Sequence, residues 1–216
     1  MTSRLLVINP NSNVRVTRGL EIALQRFQDP PGIEIECHTM LAGPFGIETA
    51  ENVLTVEPLL SSKIQNSSDF DGYVIACYSD PGLEKCRRQT AKPVAGIQQA
   101  ALATAVAFGG KFGVLSLGSD SIQRHLAYMK RLGLVNHLAG ELPLGISVDQ
   151  AANDPATFAR IIDRGERLIE DNGASVLILG CAGMARHRRA AEERLGVPVI
   201  DPTQAAVAII LGRLLG

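Results

Sequence analysis

Tryptophan is missing from this chain, aromatics are sparse at three Tyr and six Phe, and neither sign of charge dominates, with 21 Lys plus Arg against 22 Asp plus Glu over 216 residues. Neutralising a phosphate backbone requires clustered cations on one face, so the even balance argues against nucleic acid as a partner. The one local run, Arg186 to Arg189, is followed at once by Glu192 and Glu193 and reads as a solvated helix face. Long hydrophobic runs are missing too. The longest, near Ala100 to Phe108 and Ala205 to Leu211, fall short of the roughly 18 to 20 residues of a membrane span. The first residues lack an extended apolar segment and a small-residue cleavage site, so no secretory signal is expected and the protein is read as cytoplasmic, with no membrane partner. No Cys-x-x-Cys pair occurs, and Cys37, Cys77, Cys86 and Cys181 show no metal-ligand spacing with the four His. Gly109-Gly110 precedes a strand and is too short for a phosphate-binding fingerprint. Neither metal nor cofactor is expected, and in a reducing compartment the cysteines stay thiols.

Short runs rich in Val, Ile and Leu are abundant. They occupy Leu5 to Ile8, Ile33 to His38, Gly72 to Ala76, Val94 to Ala95, Phe112 to Leu117, Gly140 to Leu144, Ser175 to Leu179 and Val197 to Ile200. Several are nearly continuous, as strands buried on both faces of a parallel sheet are. Amphipathic stretches lie between them: Val16, Leu20, Ala23, Leu24 and Phe27 follow Asn13 at helical spacing, and Phe158, Ile161, Ile162, Leu168 and Ile169 precede an Asn172-Gly173 stop. The alternation predicts an α/β fold with parallel strands.

The two halves of the chain also resemble each other. Arg4-Leu5-Leu6-Val7-Ile8-Asn9-Pro10-Asn11-Ser12 aligns with Lys111-Phe112-Gly113-Val114-Leu115-Ser116-Leu117-Gly118-Ser119, and the run ending in Cys77 aligns with the run ending in Cys181. Further on, Pro93, Gln99 and Ala100 match Pro198, Gln204 and Ala205 at one constant spacing. Three matches in order point to a duplication. The expected division is 1–97 for the first half-domain, completed by a C-terminal helix over 203–216, and 98–202 for the second. The Ala-, Ile- and Leu-rich C-terminal helix is expected to pack across half-domains or subunits, and a homo-oligomer is expected.

Ligands of parallel α/β units sit outside the carboxyl ends of the strands. Cys77 and Cys181 both follow strands directly, in glycine-containing turns, so two facing half-domains would set the thiols on opposite walls of one cleft. Inversion at an acidic carbon needs a base on one face and an acid on the other, and a thiolate and a thiol supply both. A free cysteine at the end of a buried strand is ordinarily an inert packing residue. Occurrence at corresponding positions of a duplicated unit reverses that reading for Cys77 and Cys181, while Cys37 and Cys86, without counterparts, keep it. Asn9-Pro10-Asn11-Ser12 reads as a helix-capping turn or as the polar rim of a ligand site, and Gly43 to Glu48 as a loop that covers a site or merely connects. His38, His125, His137 and His187 show no partner pattern that would make a base.

Asn9-Pro10-Asn11-Ser12, Ile75-Ala76-Cys77-Tyr78-Ser79-Asp80-Pro81-Gly82-Leu83, Leu179-Gly180-Cys181-Ala182-Gly183-Met184 and Val197-Pro198-Val199-Ile200-Asp201 resemble the hydantoin and allantoin racemases of the aspartate/glutamate racemase superfamily, in order along essentially the whole chain. The resemblance implies two pseudosymmetric flavodoxin-like half-domains and a cleft between them. It implies cofactor-independent racemisation of a small-molecule substrate, a 5-substituted hydantoin or allantoin, by proton transfer at Cys77 and Cys181. It carries substrate contacts over to Asn9, Asn11, Ser79, Ser116, Leu117, Gly118, Ala182 and Gly183, and a covering loop to Pro44 and Ile47. The chain has Asn9-Pro10-Asn11 where amino-acid racemases carry an acidic residue and Ser, and Tyr78-Ser79 where hydantoin racemases often have Phe-Gly. An amino-acid racemase, a maleate-type isomerase and a non-catalytic α/β binding module stand as alternatives.

Overall fold

The computed structural model describes residues 2–28 and 32–215; residues 1, 29–31 and 216, which fall inside the expected half-domain ranges, lie outside the described residues. Among the described residues, eight strands form two sheets. The first contains β1 (Ser3–Asn9), β2 (Ile33–Thr39), β3 (Gly72–Ile75) and β4 (Val94–Gly96) in the order β2-β1-β3-β4. The second contains β5 (Phe112–Ser116), β6 (Leu138–Pro143), β7 (Val176–Leu179) and β8 (Val199–Ile200) in the order β6-β5-β7-β8. Every pairing is parallel. The sequence repeat is therefore a repeat of topology, β1 answering to β5 and β3 to β7.

Nine helices are described: α1 (Val14–Leu24), α2 (Ala50–Gln65), α3 (Leu83–Arg87), α4 (Ile97–Phe108), α5 (Ser119–Arg131), α6 (Val148–Asn153), α7 (Ala156–Glu170), α8 (Arg188–Leu195) and α9 (Pro202–Leu215). None is long and apolar enough to cross a membrane. The chain enters α1 through Asn13, whose side chain accepts from the Arg15 N–H, and leaves α7 toward Gly173 at φ +72°, a left-handed turn residue.

Strand alternation explains how the apolar runs are used. Along β1, Leu5 and Val7 join a central core while Leu6 and Ile8 point into an outer one; along β7, Val176 and Ile178 face the centre while Leu177 and Leu179 face outward. The central core is common to both sheets, and α1, α4 and α9 contribute to it. Helix α4 follows β4 in the chain yet packs against β7 and β8, and α9 follows β8 yet packs against β3 and β4. Small residues at the α4–α9 crossing, among them Ala100, Ala101, Ala205 and Ala206, are buried there. The edge strands β4 and β8 are short because Pro93 and Pro198, which precede them, lack an N–H; the proline carbonyls still accept from Tyr73 and Leu177 at 2.9 Å. Strand β6 begins at Leu138, two residues before the apolar run that marks it in the sequence, with a register shift opposite Phe112.

Candidate active site

The carboxyl ends of β1, β3, β5 and β7 open onto one cavity of about 240 Å3, walled by Cys77 and Cys181 together with residues of both halves. After β3 the chain turns through Ala76 to Gly82, with the Asp80 N–H on the Cys77 carbonyl at 3.0 Å. Asp80 is the one non-glycine residue at positive φ (+44°) among those described. Its buried carboxylate holds this strained turn in place, accepting from the backbone N–H groups of Gln98 (2.9 Å) and Gln99 (2.8 Å) at the start of α4 and from the Tyr128 hydroxyl (3.3 Å). A Cβ at Gly96 would stand 2.3 Å from that carboxyl carbon, so only glycine fits. After β7, Gly180 passes so close to β5 that a Cβ would lie 2.7 Å from the Leu115 carbonyl oxygen, and Cys181 then caps a 3-10 turn over Ala182–His187.

Burial dominates the electrostatics of both thiols, pushing each up to about 12 because the anion loses its hydration. The opposing influences differ. Around Cys77 the Ser79 N–H and the Arg124 guanidinium favour the thiolate, whereas Cys181 and Asp80 disfavour it. Around Cys181 the Gly183 N–H, 3.3 Å from Sγ, favours the thiolate, whereas Glu48 and Asp201 disfavour it. Cys37 and Cys86 are likewise raised by burial, to about 12 and about 11, and neither borders the cavity.

Of the substrate contacts expected from the sequence, Asn11, Ile47, Ser79, Leu117, Gly118, Ala182 and Gly183 line the cavity; Asn9, Pro44 and Ser116 are not part of its wall. Asn9 is fully buried and its side chain is spent on the β1 turn: Nδ2 lies 3.1 Å from Asn11 Oδ1 and 3.0 Å from Thr17 Oγ1, and Oδ1 accepts from the Asn11 N–H. Ser116 is also fully buried, its hydroxyl turned to the Leu142 carbonyl at 3.5 Å. Pro44 acts through its backbone, accepting from the Ser12 N–H at 2.9 Å. The loop Gly43 to Glu48 is thus latched to the β1 turn, and at its far end Glu48 Oε1 accepts from the Val148 N–H at 2.8 Å. It reaches from the first half to the second across one side of the cavity.

Sequence reasoning missed Tyr78, Glu48, Thr49, Arg124, His125 and the first turn of α5, all of which line the same space. The α5 group has a sequence signal, a polar stripe Ser121, Arg124, His125 and Tyr128 at helical spacing just after a strand end. Glu48 has none, because its position depends on the reach of a loop.

Residues 5–210 match the family model described as Asp/Glu/Hydantoin racemase. The chain is 32% identical to a hydantoin racemase of Paenarthrobacter aurescens over 95% of this chain and 89% of that protein. Its structure is similar to the allantoin racemase from Klebsiella pneumoniae, with a TM-score of 0.94 and 27% identity over 99% of this chain and 88% of that one. It is also similar to the allantoin racemase from Pseudomonas fluorescens, with a TM-score of 0.92 and 27% identity over 98% and 91% of the two chains.

Proposed function

The chain belongs to the Asp/Glu/hydantoin racemase family and is a racemase, and from that premise we propose that it inverts the ring carbon of 5-substituted hydantoins or of allantoin, without a cofactor, by proton transfer between Cys77 and Cys181. The observation that carries this reading is the presence of both thiols in the wall of one cavity, at the ends of the corresponding strands β3 and β7. The cavity lies at the small end of ligand sites, below the roughly 300–1,000 Å3 usual for them, which suits a single ring with a short arm.

In one direction the Cys77 thiolate takes the C5 proton, and the C–H electron pair moves toward the adjacent ring carbonyl to give an enolate. The Cys181 thiol then delivers its proton to the opposite face, so one C–H bond has broken, one has formed, and the thiolate has passed to Cys181. The other enantiomer runs the same steps in reverse. Arg124 and the Ser79 N–H favour the first thiolate at Cys77, while burial, with Glu48 and Asp201 adding to it, keeps Cys181 protonated. Enolate charge is met by backbone N–H groups at the Ala182-Gly183 and Leu117-Gly118 turns, and the Asn11 and Ser79 side chains hold the ring amides. Ile47 covers the ring, while Asn9, Pro44 and Ser116 support the wall from behind.

The halves are assigned as 1–97 with 203–216, and 98–202, in keeping with the packing of α9 on β3 and β4. The enzyme is read as a cytoplasmic homo-oligomer; all four cysteines are free. Proton NMR in heavy water, on single-enantiomer allantoin and 5-isobutylhydantoin with enzyme-free blanks, tests the function. C5 proton loss above the blank, matched by loss of circular dichroism, is expected; no loss with any ring substrate would refute it.

A further inference from the structure

The cavity wall contributed by α5 contains a group that the proton transfer does not use, His125, beside Arg124, whose charge favours the Cys77 thiolate. His125 is 3% exposed and its Nδ1 lies 2.7 Å from Oε1 of Glu141 on β6, whose side chain is 2% exposed. Glu141 Oε2 has no partner among the described residues, so the imidazole alone offsets the cost of burying this carboxylate and Nδ1 must carry the proton. The ring is fixed a second time by Tyr78, which meets it edge to face at 5.0 Å. With Nδ1–H donated to Glu141, Nε2 is left as an acceptor for a ligand, on a ring held in one orientation. Arg124 stands beside it with, among the described residues, only Nε engaged, on Ser79 Oγ at 3.2 Å, leaving the terminal guanidinium donors for the cavity. The cavity lining also includes the apolar Val16, Ile47, Ile146 and Val148.

A donor at Arg124 beside an acceptor at His125, in a cavity otherwise lined in part by apolar side chains, fits a ligand that carries a carbonyl and an N–H together on a short arm. Its charge is limited by Glu48 and Asp120, which border the same small space and oppose a second anion. Resting on the racemase reading above, we propose that Arg124 and His125, the latter positioned by Glu141, determine the specificity of the site by binding an uncharged ureido or carboxamide arm on the inverted ring carbon, Arg124 donating to its carbonyl oxygen and His125 Nε2 accepting from its N–H. Alkyl and aryl arms leave the Arg124 donors and the buried His125 acceptor unpaired, and carboxylate arms lack the N–H and meet Glu48 and Asp120, so both classes are poorer substrates.

The test compares kcat/KM for allantoin, 5-carboxymethylhydantoin and 5-isobutylhydantoin in the wild type and in Arg124→Met, His125→Phe and Glu141→Gln. The wild type is expected to favour allantoin over both others by tenfold or more. Arg124→Met and His125→Phe are expected to lower the allantoin-to-isobutyl ratio at least tenfold, and Glu141→Gln, which keeps an acceptor for Nδ1–H, to lower it less. Arg124 is partly exposed, so its variant tests the claim even if the buried His125 variant does not fold. An unchanged ratio in Arg124→Met, a wild-type preference for the isobutyl arm, or a preference for the carboxymethyl arm would each overturn the proposal while leaving the racemase intact. A wild type inert toward all three would instead remove the reading on which it rests.

Discussion

A thiol pushed up to about 12 is almost wholly protonated at pH 8, where free cysteine, with a pKa of about 8.5, is already partly thiolate. Because the thiolate is the nucleophile, Cys77 and Cys181 should react with iodoacetamide more slowly than free cysteine at pH 8, at rates that still climb at pH 9. Cys77 should react first, since it is only half-buried and has Arg124 nearby, whereas Cys181 is 8% exposed and has Glu48. Peptide mapping after timed alkylation reads both; equal labelling, or a plateau near pH 8.5, would contradict the electrostatics. Folding raises these pKa values, so their contribution to stability is intact below about 9 and is lost as pH rises toward about 12. At this scale the cysteine pair is legible in the sequence because duplication marks it. Arg124 and His125 carry only a faint helical stripe, and Glu141 carries no signal, since its hydrogen bond with His125 joins a helix to a strand through tertiary packing.

Among the elements, the turn between β3 and α3 depends on Asp80. The corresponding cap of α9 comes from Asp201, which accepts from Thr203 and Gln204 at 2.7 and 2.9 Å and occupies the place that Gly96 holds in the first half. One repeat caps its helix from the residue just before it, the other from the cysteine turn. Asp80→Ala should therefore cost about 1–3 kcal/mol through the lost cap and unpaired N–H groups, and should lower racemisation by loosening Cys77, as read by urea unfolding and initial rates. Burial raises the Asp80 pKa to about 6, against 3.8 unfolded. Its contribution is thus complete below about 4 and is lost as pH rises through 6, so the wild type's advantage over Asp80→Asn should shrink between pH 4 and pH 7. A constant difference would mean that the carboxyl ionises normally. The strands were readable from their continuous apolar runs, and the shortness of β8 from Pro198. The destination of α4 and α9 was not, because amphipathicity tells which face of a helix is buried and not which sheet buries it.

For the molecule as a whole, the exchange of α4 and α9 gives both sheets one core, in which Val7, Val74, Val114, Ile178, Ala101, Val207 and Ile210 are all buried. Unfolding one half would expose the apolar surface of the other, so urea denaturation should follow a single transition, coincident by circular dichroism and tyrosine fluorescence. Two separated transitions would show that the halves are independent. Ile210→Ala, cutting into this core, should cost about 2–5 kcal/mol in that same transition. The shared core also fixes the ends of β3 and β7 relative to each other, which is how two halves contribute one thiol each to a single cavity. Proton exchange measured beside inversion, in Cys77→Ser and Cys181→Ser given each enantiomer separately in heavy water, tests this division of labour most directly. Neither variant should invert either enantiomer above the blank, while each should exchange the C5 proton of one enantiomer only, opposite in the two variants. Full inversion of both enantiomers by either variant would contradict the two-thiol account.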